Sequence, residues 1–116
     1  MGGSASFDNM GLLDSGSTDS AIPKNIAEIL GLKLGKKTRI LTPGGEIEGY
    51  ESEVKIEVPI KHNPVRLVLP CHVIDGLDEI ILGRLGFFEA FEITFCEADS
   101  LVRLKDVRSK KTAKRV

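Results

Sequence analysis

Between Thr38 and Ile60 the chain reads TRILTPGGEIEGYESEVKIEVPI, and this stretch constrains the fold more than any other. Val54, Ile56, Val58 and Ile60 alternate with Lys55, Glu57 and Pro59. A side-chain period of two belongs to a strand with one buried face, because successive Cβ atoms point to opposite sides. Upstream, Pro43-Gly44-Gly45 lies between Ile40 and Leu41 on one side and Ile47 on the other, which predicts a hairpin with that turn at its tip. A helix cannot satisfy this pattern, so the fold has to be organised around a sheet.

The flanking segments add shorter elements. Met10–Leu13 reads as a short buried strand that stops at Asp14. In IPKNIAEILGLKL, Pro23 suits a first helical position, Ile26, Ile29 and Leu30 predict one apolar face, and Gly31 suits the C-terminal cap. PVRLVLPCHVI is a further strand, apolar enough to predict deep burial, and Ile80–Leu82 is a very short one. A second short helix is expected after Gly83, with Leu85, Phe88 and Phe91 spaced by three. FEITFCEADSLVRLKDV predicts a closing hairpin that turns at residues 97–100. The expected class is therefore mainly β, with one or two short helices.

With 116 residues the chain is expected to be one domain. Its six aromatic residues include no Trp, so the core must rest on Ile, Leu and Val. No apolar run reaches the roughly 20 residues that span a bilayer, and no charged-then-apolar leader opens the chain, so a soluble, cytoplasmic protein is expected. Residues 1–102 carry nine basic and sixteen acidic side chains, whereas 103–116 carry seven basic and one acidic. The sequence thus divides into a flexible segment over 1–9, a domain over 10–106 and a basic, disordered tail over 107–116. The tail holds no aromatic residue on which a base could stack, so nucleic acid is not an expected partner. Cys71 and Cys96 are isolated and read as buried free thiols; neither they nor His62 and His72 have metal-ligand spacing, and no metal or cofactor is expected.

The chemistry-bearing candidate is GLLDSGSTDSAIP, residues 11–23. GLKLGKKT is not a phosphate-binding loop, since its glycines are four apart rather than five. DSGST holds no nucleophile elbow of the G-x-S-x-G type. What remains is an order of parts: two leucines, Asp14-Ser15-Gly16-Ser17, a short helix, a glycine-tipped hairpin, and IILGR at 80–84. On LLDSGS, PGGEIEG and IILGR the chain resembles the retropepsin-like aspartic proteases, the single-domain, homodimeric relatives of pepsin, over about residues 10–106.

That resemblance implies a small closed, barrel-like acid-protease fold with a flap hairpin. It implies an aspartic endopeptidase in which Asp14 of each subunit activates water against an extended peptide substrate. Since DSG occurs once in the chain, the second aspartate would come from another copy. Gly16 would direct its N–H at the carboxylate, and Ser15 would lock the two loops across the axis. A Ser17 hydroxyl donating to the carboxylate would favour its charged form and shift the activity optimum to acid, with Ser17→Ala moving it back up. Thr42, Pro43, Gly44 and Gly45 would form the flap tip, Leu77 and Ile81 would line aliphatic pockets, and Arg84 would brace the dimer or the active-site loop. Asp19 is open between a polar contact near the substrate backbone and a turn-stabilising carboxylate. The alternative to the enzyme is a dimeric peptide-binding or scaffold domain of the same fold with little turnover.

Overall fold

The computed structural model describes residues 10–60 and 64–107. The expected N-terminal segment 1–9, the basic tail beyond Val107, and His62 lie outside them.

Among the described residues eight strands carry the fold: β1 (Gly11–Leu13), β2 (Ser20–Pro23), β3 (Lys37–Thr42), β4 (Gly45–Val58), β5 (Val65–Ile74), β6 (Ile80–Leu82), β7 (Phe91–Cys96) and β8 (Leu101–Asp106). The first six form one sheet in the order β1-β6-β2-β5-β4-β3, and β7 and β8 pair separately. The large sheet curls into a half-barrel of the acid-protease kind. β1 runs parallel to β6, and β2 runs parallel to β5 and antiparallel to β6. The interleaving therefore brings segments far apart in sequence side by side.

The period-two stretch folds as its pattern dictates. β3 and β4 pair from Lys37↔Tyr50 to Thr42↔Gly45, leaving Pro43 and Gly44 as the turn. Gly45 takes φ 120, a conformation open to glycine and strained for other residues. β4 then continues along β5, with Val54 buried and Ile56 and Val58 half-buried. β5 is less continuously buried than its composition suggests. Val65, Leu69, Cys71 and Val73 enter the core, whereas Val68 is 55% exposed, because only one face of this strand has a second layer against it.

The core joins those β5 residues to Ile22, Val54, Phe87, Ala90, Phe91 and Ala27. Ala27 belongs to the helix α1 (Lys24–Leu30), which begins one residue later than expected, with Pro23 as its N-cap. Gly31 closes α1 at φ 71, and the Gly31 and Leu32 N–H groups return to Glu28 and Ala27 at 3.2 and 3.0 Å. This pair of bonds satisfies the helix's terminal carbonyls. The buried face centres on Ala27, with Ile26 and Leu30 packed beside it, and Ile29 is 60% exposed. At about 100° per residue Ile29 lies some 200° round from Ala27, away from the sheet.

Two further expectations are corrected. Met10–Leu13 is not a buried strand throughout: Met10 is 87% and Leu12 47% exposed, since β1 is an edge strand paired only with β6, and only Leu13 packs half-buried against the core. Among the described residues no α-helix follows Gly83. The chain makes turns and a 3₁₀ turn at Phe88–Ala90, and Phe91 already begins β7. Gly86 sits at φ 88, which breaks a right-handed helix. A Cβ there would lie 2.9 Å from Leu69 Cδ2. The closing hairpin does turn where expected, through a 3₁₀ turn at Glu97–Asp99 and Ser100 at φ 52.

Candidate active site

Asp14 follows β1 directly, and its N–H continues the β1–β6 pairing to the Leu82 carbonyl at 3.0 Å. The chain turns at once, with the Ser17 N–H bonded to the Asp14 carbonyl at 3.1 Å. The turn brings the Gly16 N–H to Asp14 Oδ1 at 2.9 Å. Asp14 is half-buried, whereas Ser15 and Gly16 are exposed. The result is a carboxylate held in a fixed orientation at the rim of the sheet, with backbone rather than side chain as its donor.

The Ser17 hydroxyl points elsewhere. It donates to the Asp19 carbonyl at 2.7 Å. Its single proton is thereby engaged within the loop, so it braces the turn and the acid shift expected from a Ser17–Asp14 bond has no geometric basis.

The loop's second anchor is the segment after β6. The Arg84 and Leu85 N–H groups bond to the Ser17 and Thr18 carbonyls at 2.9 and 2.8 Å, and Arg84 Nη2 donates to Thr18 Oγ1 at 2.8 Å. The Gly83 N–H donates to the hydroxyl of Ser20, which is fully buried, at 3.0 Å. Gly83 is required here by space: a Cβ would sit 2.5 Å from the Asp19 carbonyl oxygen and 2.9 Å from that of Ser17. Of the two roles open to Arg84, the contacts within this chain are those of a loop brace.

The remaining candidates are distributed around this clamp. Ile81 is half-buried on β6, opposite Leu12 on one side and Ala21 on the other. Leu77 is half-buried in the turn before β6. Thr42, Pro43, Gly44 and Gly45 do form a hairpin tip, on the edge of the sheet opposite β1. Leu41 beside the tip is 79% exposed. Two exposed ion pairs, Lys37–Glu48 at 3.3 Å and Arg39–Glu46 at 3.6 Å, cross the hairpin.

Four participants were not singled out from the sequence: Thr18, Ser20, Gly83 and His72. Gly83 had a signal, since it is the glycine of IILGR. Ser20 had none, being one polar residue among several. His72 gave no sign of its partner: its Nε2 lies 3.2 Å from Asp19 Oδ2 and its Nδ1 lies 3.4 Å from Thr38 Oγ1. Asp19 is thus tied to a side chain 53 residues later.

Cys71 is buried and Cys96 half-buried, and both are free. Burial pushes the Cys71 thiol up to about 11, with Glu53 adding to the effect. Among the described residues no three His, Cys, Asp or Glu side chains gather as a metal site, and no helix is long and apolar enough to cross a membrane.

No curated protein matches the sequence. A family model described as Aspartyl protease matches residues 6–85, a span that contains the Asp14 loop, the β3–β4 hairpin and the Gly83–Arg84 clamp. With that match and a half-barrel of the acid-protease kind, the chain belongs to the retropepsin-like aspartyl proteases.

Proposed function

We propose that the protein is an aspartic endopeptidase that works as a homodimer, cleaving extended peptides between two Asp14 carboxylates. The observation that carries this reading is the Asp14 loop itself. Its carboxylate accepts the Gly16 N–H at 2.9 Å, and five contacts from β6 and the segment after it hold the loop in place.

The chemistry follows from pairing. Two carboxylates about 3 Å apart cannot both ionise, so they share one proton. The charged one takes a proton from a water, whose oxygen attacks the scissile carbonyl carbon as the neutral one hydrogen-bonds the carbonyl oxygen. The tetrahedral intermediate then collapses, the C–N bond breaks and the amine leaves with a proton from the dyad. Such a pair titrates as a unit, so its two apparent pKa values belong to neither Asp14 alone. Ser15 bonds the loops across the axis. The tip at Thr42–Gly45 closes on the substrate, which lies as an added strand with alternate side chains in pockets that include Leu77 and Ile81.

Cleavage of a peptide library tests the proposal. Turnover that is blocked by a pepstatin-type inhibitor and abolished in Asp14→Asn is the expected result. Peptide binding without turnover would instead make the protein a peptide-binding dimer of the same fold.

A further inference from the structure

His72 touches both the Asp14 loop and the β3–β4 hairpin, and this link reaches beyond the aspartate chemistry. On β5 it lies opposite Glu51 of β4 and beside Ala21 of β2. Its ring is mostly covered, with 21% of the side chain exposed. One nitrogen meets Asp19, which closes the Asp14 loop, and the other meets Thr38 at the base of the flap hairpin. Thr38 Oγ1 also lies 3.5 Å from the carbonyl of Gly49, its partner across that hairpin.

Proton accounting makes the link directional. A carboxylate only accepts, so Nε2 must carry a hydrogen toward Asp19. In the neutral ring Nδ1 is then an acceptor and the Thr38 hydroxyl donates to it. In the charged ring Nδ1 becomes a donor, and the Thr38 proton has to turn to the Gly49 carbonyl. Protonation thus strengthens the Asp19 contact into an ion pair and reverses the hydrogen bond at the flap base. The other charged groups near the ring are Glu51 and Glu53 on the same face of β4 and Lys33 in the segment before β3; these line one cleft with Asp19 and His72. The buried Cys71 thiol in the same cleft stays neutral.

We infer that His72 is a positioning residue that couples the flap hairpin to the Asp14 loop, with the coupling tightest when the imidazole is charged. Its effect on turnover rests on the endopeptidase reading, but the coupling itself does not. Amide and ring NMR of the full chain from pH 5 to 8 therefore decides it first. The amides of Asp19 and of Thr38 and Gly49 should follow the titration of the His72 ring. That shared titration should vanish in His72→Gln and survive in His62→Gln. In Thr38→Val it should persist at Asp19 and be lost at the flap base. Loop and flap amides that titrate independently of His72, in a protein with unchanged circular dichroism, would overturn the inference.

Peptide cleavage supplies the second readout. His72→Gln should raise KM about three- to tenfold near pH 5.5, with kcat changed by less than about twofold, and should remove the imidazole inflection from the pH profile. Asp19→Asn should do the same, and the double variant should lose little more. Additive losses, or an unchanged pH profile, would count against the coupling. Absence of cleavage by the unsubstituted chain would instead remove the endopeptidase reading and leave the NMR result standing.

Discussion

Gly83 shows how a single absent methyl group can define a site. The Asp19 carbonyl occupies the space a Cβ would need, 2.5 Å away. Gly83→Ala should therefore either unfold the clamp or push the Asp14 loop aside, at about 1–3 kcal/mol or more. A fall in Tm accompanied by loss of cleavage is the expected outcome; an unaltered Tm would mean the loop can move freely. Ser20→Ala tests the same contact from the other side. It leaves the buried Gly83 N–H without an acceptor and should cost about 1–3 kcal/mol in urea unfolding. The two cysteines should differ in reactivity. With its thiol pushed up to about 11, Cys71 holds almost no thiolate at neutral pH. A maleimide at pH 7.5 should label half-buried Cys96 first, and Cys71 only on unfolding, as mass spectrometry would show.

At the scale of elements, most strands were legible, but β2 was not, and the helix expected after Gly83 does not form. β4 and the turn at Pro43-Gly44 follow from alternation and turn chemistry, both local properties. The Leu85–Phe91 spacing matches a helix equally well, but Gly86 at φ 88 stops one, and the contact that needs Gly there comes from Leu69 on β5. Gly86→Ala meets both the positive φ and that side chain, so a lower Tm is expected, with the far-UV spectrum still dominated by strand. The β3–β4 hairpin should be insensitive to its charges. Lys37–Glu48 and Arg39–Glu46 are exposed pairs, and such pairs contribute about 0–1 kcal/mol. Replacing Glu46 and Glu48 with Gln should leave Tm within a degree or two and leave cleavage intact.

For the whole molecule, assembly is the decisive issue. Leu12 on β1 and Phe95, Leu101 and Val102 on β7 and β8 are each at least 44% exposed in the isolated chain. An endopeptidase that draws one Asp14 from each of two chains must lose specific activity on dilution through its dimer dissociation constant. Specific activity that is constant from micromolar to nanomolar, alongside a monomeric mass, would rule out a shared dyad.

From sequence alone came the sheet-dominated class, the hairpin turn at Pro43-Gly44, the Asp14 motif and the IILGR partner, because alternation, turn residues and short motifs are written in neighbouring positions. Tertiary structure decided what those parts do to one another. It turned Ser17 from the carboxylate to the Asp19 carbonyl, assigned Arg84 to Thr18, seated Gly83 against the loop and joined His72 to both Asp19 and Thr38. The physical reason is the parallel pairing of β1 with β6 and of β2 with β5. Parallel neighbours require long crossovers, so the loop at 14–19 meets partners more than fifty residues away, beyond the reach of any local pattern.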